Sequence, residues 1–216
     1  MRIPIHPDGW PFIAIALVFN FVFFMLSPWA GGLFAPLTIW CIAFFRDPER
    51  TTPEGKDLVI SPADGRLLPI THAVPPREVE TSAEPRLRLS IFMDIFDVHV
   101  NRVPIDGRVT ALSYREGRFF NASFDKASEH NERMSIRIEP EEKGDAEGLT
   151  VIQIAGLVAR RIKCDLAQGQ QVRRGERFGI IRFGSRLDIY LPPGATVLAG
   201  ENQRVRAGET ILAKLK

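Results

Sequence analysis

The chain has 216 residues, with 28 basic side chains, 26 acidic side chains and a formal net charge of +2. This length allows one large domain with a core of its own, and the near balance of charge excludes a chain-wide polyanion binder. Its two cysteines and four scattered histidines lack both a disulfide pattern and metal-ligand spacing, so no metal site is expected and a reducing compartment fits.

The N-terminus contains an apolar block, because residues 10–45 include no Asp, Glu, Lys or Arg. Its two apolar halves, 11–26 and 33–45, are separated by residues 27–32. Each half is shorter than the roughly 20 residues of a simple spanning helix. The pattern predicts a helical hairpin with both ends on one side of a membrane; the alternative is a buried helical pair in a soluble core.

Residues 1–45 are therefore predicted to be a membrane-associating segment, and 46–216 a separate domain. Basic residues follow the block at once, at Arg46, Arg50 and Lys56. Positive charge of this kind marks the cytoplasmic end of a membrane segment. The domain is therefore predicted to lie on the cytoplasmic side of the membrane.

The remaining chain predicts a mainly β domain of the α+β class. Short runs of β-forming residues are bounded by Gly and Pro. Strands are predicted at 58–60, 66–70, 87–92, 98–103, 108–113, 134–138, 150–154, 177–182 and 187–191. The proline-containing segment 72–86 is predicted to be a loop, and 139–148 a solvated hairpin tip.

A weak repeat lies near the C-terminus, where residues 172–176 (VRRGE) return as 205–209 (VRAGE). Two strand–turn–strand units can fold about a pseudo-twofold axis, which predicts a barrel-sandwich-like C-terminal part similar to biotinyl and lipoyl carrier domains. A carrier needs a lysine between its two halves, and residues 178–203 contain none. The class that remains as an alternative to an enzyme is an inert membrane adaptor.

Basic residues are concentrated between positions 160 and 186, where the sequence has eight Arg or Lys and only two Asp or Glu. This excess favours anionic lipid headgroups or phosphates, or else forms a solvated basic face. Aromatic residues are not interleaved with these cations as they are in nucleic-acid grooves, so no nucleic-acid partner is expected.

The Gly184-Ser185 pair could cleave its own peptide bond. A serine hydroxyl can attack the preceding carbonyl and form an ester, and glycine there leaves room and permits a strained backbone. Elimination then leaves dehydroalanine, which becomes a pyruvoyl group. That ketone can form an imine with a primary amine and accept the electron pair released in decarboxylation.

Two further residues are candidates for proton transfer. Asp64 lies in SPADG (61–65), and His99 in FDVHVNRVP (96–104) has an unperturbed pKa near neutrality. Each has a structural alternative, because Asp before Gly often forms a turn and a lone His often belongs to a core. Asp94 and Asp97 are predicted to be structural or exposed, and His130 to lie in a polar loop.

An ordered series of motifs resembles the short bacterial form of the phosphatidylserine decarboxylase family. The series runs FFRDPER (44–50), SPADG (61–65), FDVHVNRVP (96–104), NERM (131–134), ARRIKC (159–164) and FGSRLDIYLP (183–192). It extends over essentially the whole chain.

The resemblance implies a membrane enzyme that converts phosphatidylserine to phosphatidylethanolamine and carbon dioxide. It implies cleavage between Gly184 and Ser185 into a β chain, 1–184, and an α chain, 185–216. Ser185 would become the pyruvoyl cofactor, Asp64 matches the maturation aspartate, and His99 matches a histidine implicated in decarboxylation. A homodimer and a serine headgroup on another lipid backbone are left open.

One departure from the longer family members concerns position 102. Those members carry a second histidine three positions after the first, whereas this chain has Arg102. Either His99 serves both maturation and decarboxylation, or Asp64 acts without an imidazole partner.

Overall fold

The computed structural model describes residues 4–80, 84–117, 131–140, 148–156, 161–182 and 184–216. The chain forms two compact units, Met1–Glu49 and Arg50–Lys216. The first is helical and the second is built almost entirely of antiparallel strands.

The helical unit is a hairpin, as predicted. A 3-10 turn, Pro7–Gly9, leads into α1 (Trp10–Leu26), and α2 follows as Pro28–Phe44. The two helices pack closely, because a Cβ at Gly31 would lie 2.6 Å from the Phe24 Cβ. The Asn20 side-chain amide donates to the Gly31 carbonyl at 2.9 Å, which satisfies a polar group within the apolar pair.

The predicted boundaries of these helices were wrong in one respect. The connection expected at 27–32 is a single extended residue, Ser27, because proline is well suited to the first turn of the helix that begins at Pro28. The first helical stretch, Pro7–Leu26, has 20 residues and is long and apolar enough to cross a membrane by length and composition. Many of its large apolar side chains face outward, including Ile15, Val18 and Leu26.

The β unit contains fifteen described strands. They are β1 (Leu58–Ile60), β2 (Gly65–Leu67), β3 (Thr71–Ala73), β4 (Arg86–Met93), β5 (Val100–Arg102), β6 (Gly107–Arg115), β7 (Arg133–Glu139), β8 (Leu149–Ala155), β9 (Ile162–Cys164), β10 (Gln171–Val172), β11 (Arg177–Ile181), β12 (Ser185–Tyr190), β13 (Thr196–Val197), β14 (Arg204–Val205) and β15 (Ile211–Lys214). Each run predicted from the sequence contains a strand, but the strands within the runs 66–70 and 98–103 are only three residues long, Gly65–Leu67 and Val100–Arg102. The short β3 lies at the start of the segment predicted to be a loop, and most of the predicted hairpin tip at 139–148 falls outside the described residues.

These strands form three sheets. The largest has the order β10-β6-β7-β8-β12-β4-β2-β14, with β3 also paired to β4. Two three-stranded sheets, β5-β11-β9 and β1-β15-β13, complete the unit. The described sheets do not close into a barrel, and a closer likeness to biotinyl and lipoyl domains stays a prediction.

The large sheet has two chemically different faces, as strand alternation requires. Leu187 and Ile189 of β12 join Leu89 and Ile91 of β4 in the hydrophobic core. On the other face, Arg186 and Asp188 form a bidentate pair with contacts of 2.8 and 2.9 Å, and both side chains are buried. Charge is accommodated there because each ion has a hydrogen-bonding counterion.

The repeat seen in the sequence is a repeat in the structure. Gly175 and Gly208 occupy equivalent turns, with φ of +86° and +79°, where a left-handed backbone favours glycine. The Gly175 amide donates to the Val103 carbonyl at 2.9 Å, and the Gly208 amide to the Ser61 carbonyl at 2.8 Å. Each unit is therefore a strand, a glycine turn and a second strand.

A second repeat, which the sequence analysis missed, accompanies the first. Residues 62–65 (PADG) and 104–107 (PIDG) each precede a strand of the large sheet. The two segments cross reciprocally, because Ile60 N donates to Pro104 O at 3.0 Å and Arg102 N donates to Pro62 O at 2.9 Å. SPADG is thus one half of a symmetric structural element.

Candidate active site at the seam between two sheets

Three connections, or crossings, join the large sheet to the β5-β11-β9 sheet. Along the chain β4 is followed by β5, β8 by β9, and β11, of the smaller sheet, by β12. Since β12 lies between β4 and β8, and β11 lies between β5 and β9, the strand ends at these crossings are neighbours. We call this region the seam; it brings the Gly-Ser pair and the FDVHV segment together.

Gly184 and Ser185 lie at the central crossing. Gly184 has φ of +60°, and among the described residues, its two chain neighbours aside, no heavy atom lies within 4 Å of where its Cβ would be. Backbone conformation rather than space therefore favours glycine. Ser185 begins β12 opposite Met93 on one side and Ala155 on the other. Its side chain is fully buried, and its Oγ lies 3.9 Å from the Met93 sulfur.

His99 lies on the neighbouring crossing. Its ring is fully buried, and its Nδ1 lies 3.1 Å from the Asp97 carbonyl oxygen. A carbonyl can only accept, so this contact places the Nδ1 proton on the ring and leaves Nε2 as the basic nitrogen when the imidazole is neutral. The Ile181 amide donates to the His99 carbonyl at 3.4 Å, which joins the histidine segment to the strand that leads to Gly184.

Asn101 is a site residue that the sequence analysis missed. It is fully buried, its Nδ2 lies 3.8 Å from the same Met93 sulfur that contacts Ser185, and its Oδ1 accepts from Gln153 at 2.8 Å. Strand alternation puts His99 and Asn101 on one side of the chain. That period-two spacing within FDVHVNRVP was the signal available in the sequence.

Asp64 is held by two partners rather than by Ser185. Its Oδ2 accepts from Arg50 at 2.8 Å, and its Oδ1 accepts from the Ala207 amide at 2.7 Å. Asp106, the equivalent residue of the PIDG repeat, accepts from the Arg174 amide at 2.9 Å in the same way. Anchoring a turn is therefore a shared structural role of both aspartates. Their ion pairs differ in length, because Asp64 lies 2.8 Å from Arg50 whereas Asp106 lies 4.0 Å from the Arg174 Nε.

Arg102 lies on the opposite side of its strand from His99 and Asn101. Its Nη1 donates to the Gly175 carbonyl at 2.9 Å, and its backbone amide donates to Pro62 of the SPADG segment. A Cβ at Gly208 would lie 2.9 Å from the Arg102 Cδ and 3.4 Å from the Arg50 Cβ. Position 102 thus belongs to the surroundings of Asp64.

Asp97 is more buried than the sequence suggested. Its carboxylate accepts from the Asp94 amide at 2.9 Å and pairs with Arg204 at 3.1 Å. Burial raises the pKa of Asp97 above its ordinary value, and the charges of Asp94 and Asp64 add to that effect, while the Asp94 amide and Arg204 oppose it. Asp97 therefore fixes the segment that carries His99.

A cavity of about 960 Å³ lies on the other face of the large sheet. It is lined by the 71–78 segment together with residues such as Arg88, Arg133 and Tyr190. Strand alternation places Tyr190 on the side of β12 away from Ser185. None of the described lining residues is Ser185, His99 or Asp64, and His130 falls outside the described residues.

Comparison with known proteins identifies the family. The model of the phosphatidylserine decarboxylase family matches residues 37–213. The phosphatidylserine decarboxylase proenzyme of Paramagnetospirillum magneticum is 51% identical over 216 residues, covering 98% of this chain and 87% of the relative. The proenzyme of Ruegeria pomeroyi is 49% identical over 213 residues, covering 99% and 96%. That of Azorhizobium caulinodans is 51% identical over 211 residues, covering 98% and 89%.

These matches define the class as an enzyme, a decarboxylase, and exclude an inert adaptor. The chain belongs to the phosphatidylserine decarboxylase family.

Proposed function

We propose that this chain is a self-processing enzyme that removes the serine carboxylate of phosphatidylserine, with a pyruvoyl group made from Ser185. The observation that carries the proposal is the left-handed Gly184 directly before a buried Ser185, at a seam that also holds His99. Family membership supports the same reaction.

Self-cleavage follows from the local chemistry. Ser185 Oγ attacks the Gly184 carbonyl carbon; the C–O bond forms, the C–N bond breaks, and the serine nitrogen takes the hydroxyl proton. Removal of the Ser185 α-hydrogen then expels the Gly184 carboxylate from Cβ and leaves dehydroalanine. Tautomerisation, uptake of one water and loss of one ammonia give the pyruvoyl group. The net change is one water consumed and one ammonia released.

The two products, 1–184 and 185–216, should remain associated. The smaller chain begins with β12, which is paired along six residues to β4 and along six to β8. Its β14 pairs with β2 and its β15 with β1, both from the larger chain. Cleavage at Gly184 therefore removes one covalent bond but leaves a central strand in place.

The residues at the seam fit the pyruvoyl group. The group is covalent and needs a serine at the start of a fixed strand, which β12 provides, in a place without bulk water, which the burial of Ser185 provides. When present it supplies an electrophilic ketone and an electron sink. Met93, Ala155 and Asn101 surround the position that it would occupy.

His99 is the proposed proton donor for decarboxylation, because its ring is buried at the seam. Since its Nδ1 is committed to Asp97 O, Nε2 of the protonated ring would deliver the proton. Asp64 is the proposed maturation residue. Its carboxylate is held in a fixed orientation by Arg50, at 2.8 Å, and by the Ala207 amide, at 2.7 Å. A His99 variant tests whether this residue also takes part in maturation, because cleavage and decarboxylation are measured separately.

The helical hairpin is the proposed anchor to the cytoplasmic face of the inner membrane. A two-chain phospholipid is costly to extract into water, so an enzyme acting on it benefits from being held at the bilayer. The outward apolar side chains of Pro7–Leu26 suit a lipid environment. The family resemblance extends the proposal to a homodimer.

The substrate is tested with phosphatidylserine labelled in the serine carboxyl carbon. We expect release of labelled carbon dioxide and formation of phosphatidylethanolamine by purified full-length protein in vesicles. The same assay with an ether-linked serine lipid tests the other backbone. Protein that has cleaved at Gly184 yet releases carbon dioxide from neither lipid would overturn the proposal.

A further inference from the structure

We propose that the turn bearing Ile95 and Phe96 contacts the bilayer and seats the seam on an anionic lipid surface. This inference deepens the proposed function and rests on it, since it takes a membrane lipid as the substrate. The turn belongs to the crossing from β4 to β5, the same connection that carries His99.

The turn is held rigidly by its flanking aspartates. The Phe96 amide donates to Asp94 Oδ1 at 2.7 Å, and the Asp94 amide donates to Asp97 Oδ2 at 2.9 Å. The Asp97 amide closes the turn by donating to the Asp94 carbonyl at 3.1 Å. These bonds hold the backbone of the turn that carries Ile95 and Phe96.

Both central side chains point outward. Ile95 is 44% exposed and Phe96 is 68% exposed. Single exposed apolar residues are ordinary on protein surfaces, but two adjacent ones on a fixed turn beside a reaction site suggest a contact surface. Polar residues at these two positions would leave the same backbone and aspartate hydrogen bonds intact.

Charge around the seam favours an anionic surface. Arg204 pairs with both acids of the turn, at 3.3 Å to Asp94 and 3.1 Å to Asp97, which offsets one of their two negative charges. The other two crossings carry exposed Arg161 and half-buried Arg182. An apolar projection bordered by arginines matches the boundary between acyl chains and anionic headgroups.

The proposed lipid substrate favours a bilayer, rather than a protein, as the partner of the Ile95–Phe96 turn. The amine of the lipid headgroup has to reach the buried Ser185, while its acyl chains remain in the bilayer. The rim of the seam must therefore meet the membrane surface during turnover. Ile95 and Phe96 lie on that rim, because Met93, which faces Ser185, is two residues before Ile95.

The test compares one lipid headgroup in two physical states. The rate on phosphatidylserine in phosphatidylcholine vesicles is divided by the rate on short-chain phosphatidylserine dissolved as monomers. For Phe96→Ser in the full-length cleaved protein, we expect this ratio to fall about tenfold, since an apolar contact with lipid is lost. Leu198→Ser, which alters an apolar residue 57% exposed elsewhere on the β unit, is the control and should keep the wild-type ratio.

The remaining outcomes are also decisive. If Phe96→Ser keeps the wild-type ratio of vesicle rate to monomer rate, the inference is overturned. If Phe96→Ser keeps this ratio but forms a smaller oligomer, the turn is instead a contact between two copies of the chain. If Phe96→Ser does not cleave, the ratio is measured for Ile95→Ser and judged by the same criterion. Phe96→Leu, which keeps an apolar side chain, should show the wild-type ratio. Wild-type protein that turns over neither form overturns the proposed function, and this inference with it.

Discussion

The amide of Ile181 donates to the carbonyl of His99 at 3.4 Å, and this contact ties the histidine segment to the strand leading into the Gly-Ser pair. The two residues are distant in sequence but adjacent because β5 pairs with β11. Ser185, the proposed nucleophile of cleavage, and His99, the proposed proton donor of decarboxylation, therefore lie on adjacent crossings of one seam. Each prediction below tests one part of that arrangement.

Replacement of Ser185 by alanine should abolish both cleavage and decarboxylation. Alanine keeps the strand pairing of β12 but removes the only nucleophile proposed for the step. A denaturing gel and the carbon dioxide assay measure the two effects. Full-length Ser185→Ala protein that still decarboxylates would be incompatible with the mechanism.

Replacement of Gly184 by alanine should slow cleavage through backbone conformation. A left-handed φ costs a residue with a side chain about 1–2 kcal/mol, which corresponds to roughly a tenfold effect if the cleaving conformation retains it. Gly184→Asn should be milder, because asparagine tolerates this region. Gly200→Ala is the matched control, since its Cβ would meet only the Gln203 side chain at 4.0 Å. Equal cleavage rates for Gly184→Ala and Gly200→Ala would contradict this account.

Replacement of His99 by alanine should leave at least partial cleavage but lower decarboxylation by about 10²–10⁴-fold, the usual contribution of a general acid. The turnover number should be expressed per cleaved chain so that the two steps are separated. Wild-type turnover would remove His99 from the reaction. Complete loss of cleavage would show that His99 also serves maturation.

Replacement of Asp64 by asparagine should slow cleavage more than Asp106→Asn does. The two aspartates make equivalent bonds to backbone amides, of 2.7 and 2.9 Å, so the second variant measures the cost of the shared turn. Any excess effect of Asp64→Asn is assigned to a role of Asp64 in maturation and to its closer arginine pair, which is 2.8 Å long against 4.0 Å for Asp106. Time courses of cleavage after synthesis measure both, and equal rates would assign Asp64 a purely structural role.

Asp97 should make stability depend on pH. Because burial raises its folded-state pKa, its contribution is fully present below the ordinary carboxyl pKa and is lost as pH rises through the raised value. The largely exposed Arg204 restores only roughly 0–1 kcal/mol of this loss. The test compares the uncleaved Ser185→Ala protein with the same protein carrying Asp97→Asn. The unfolding free energy of the first minus that of the second should decrease as pH rises from the ordinary carboxyl pKa through the raised pKa of Asp97. A constant difference in urea denaturation would contradict the prediction.

Much of the fold could be predicted because each longer strand carries its own apolar signal. The run at 87–92, for example, became β4 with small changes at its ends. The shorter β10 and β14 were found only through their repeat, since two residues contain no periodicity. The seam could not be predicted, because it depends on which strands pair across the chain.

The candidate site was predicted only in part, because some of its residues carry a local signal and others depend on contacts between distant parts of the chain. Gly184 and Ser185 carry a local chemical signal, and His99 lies in a recognisable motif. Asn101 was missed because its burial arises from its contact with Met93 of another strand. Asp97 was expected to be structural or exposed because its burial depends on Asp94 and Arg204, and the latter is far along the chain.

The most direct test of the central claim is an intact mass of the purified protein, measured together with a denaturing gel. The account predicts two chains, one ending at Gly184 and one spanning residues 185–216. The smaller chain should be lighter by one ammonia than a fragment that begins with serine. A single uncut chain of 216 residues in a preparation that releases carbon dioxide from phosphatidylserine would contradict the account.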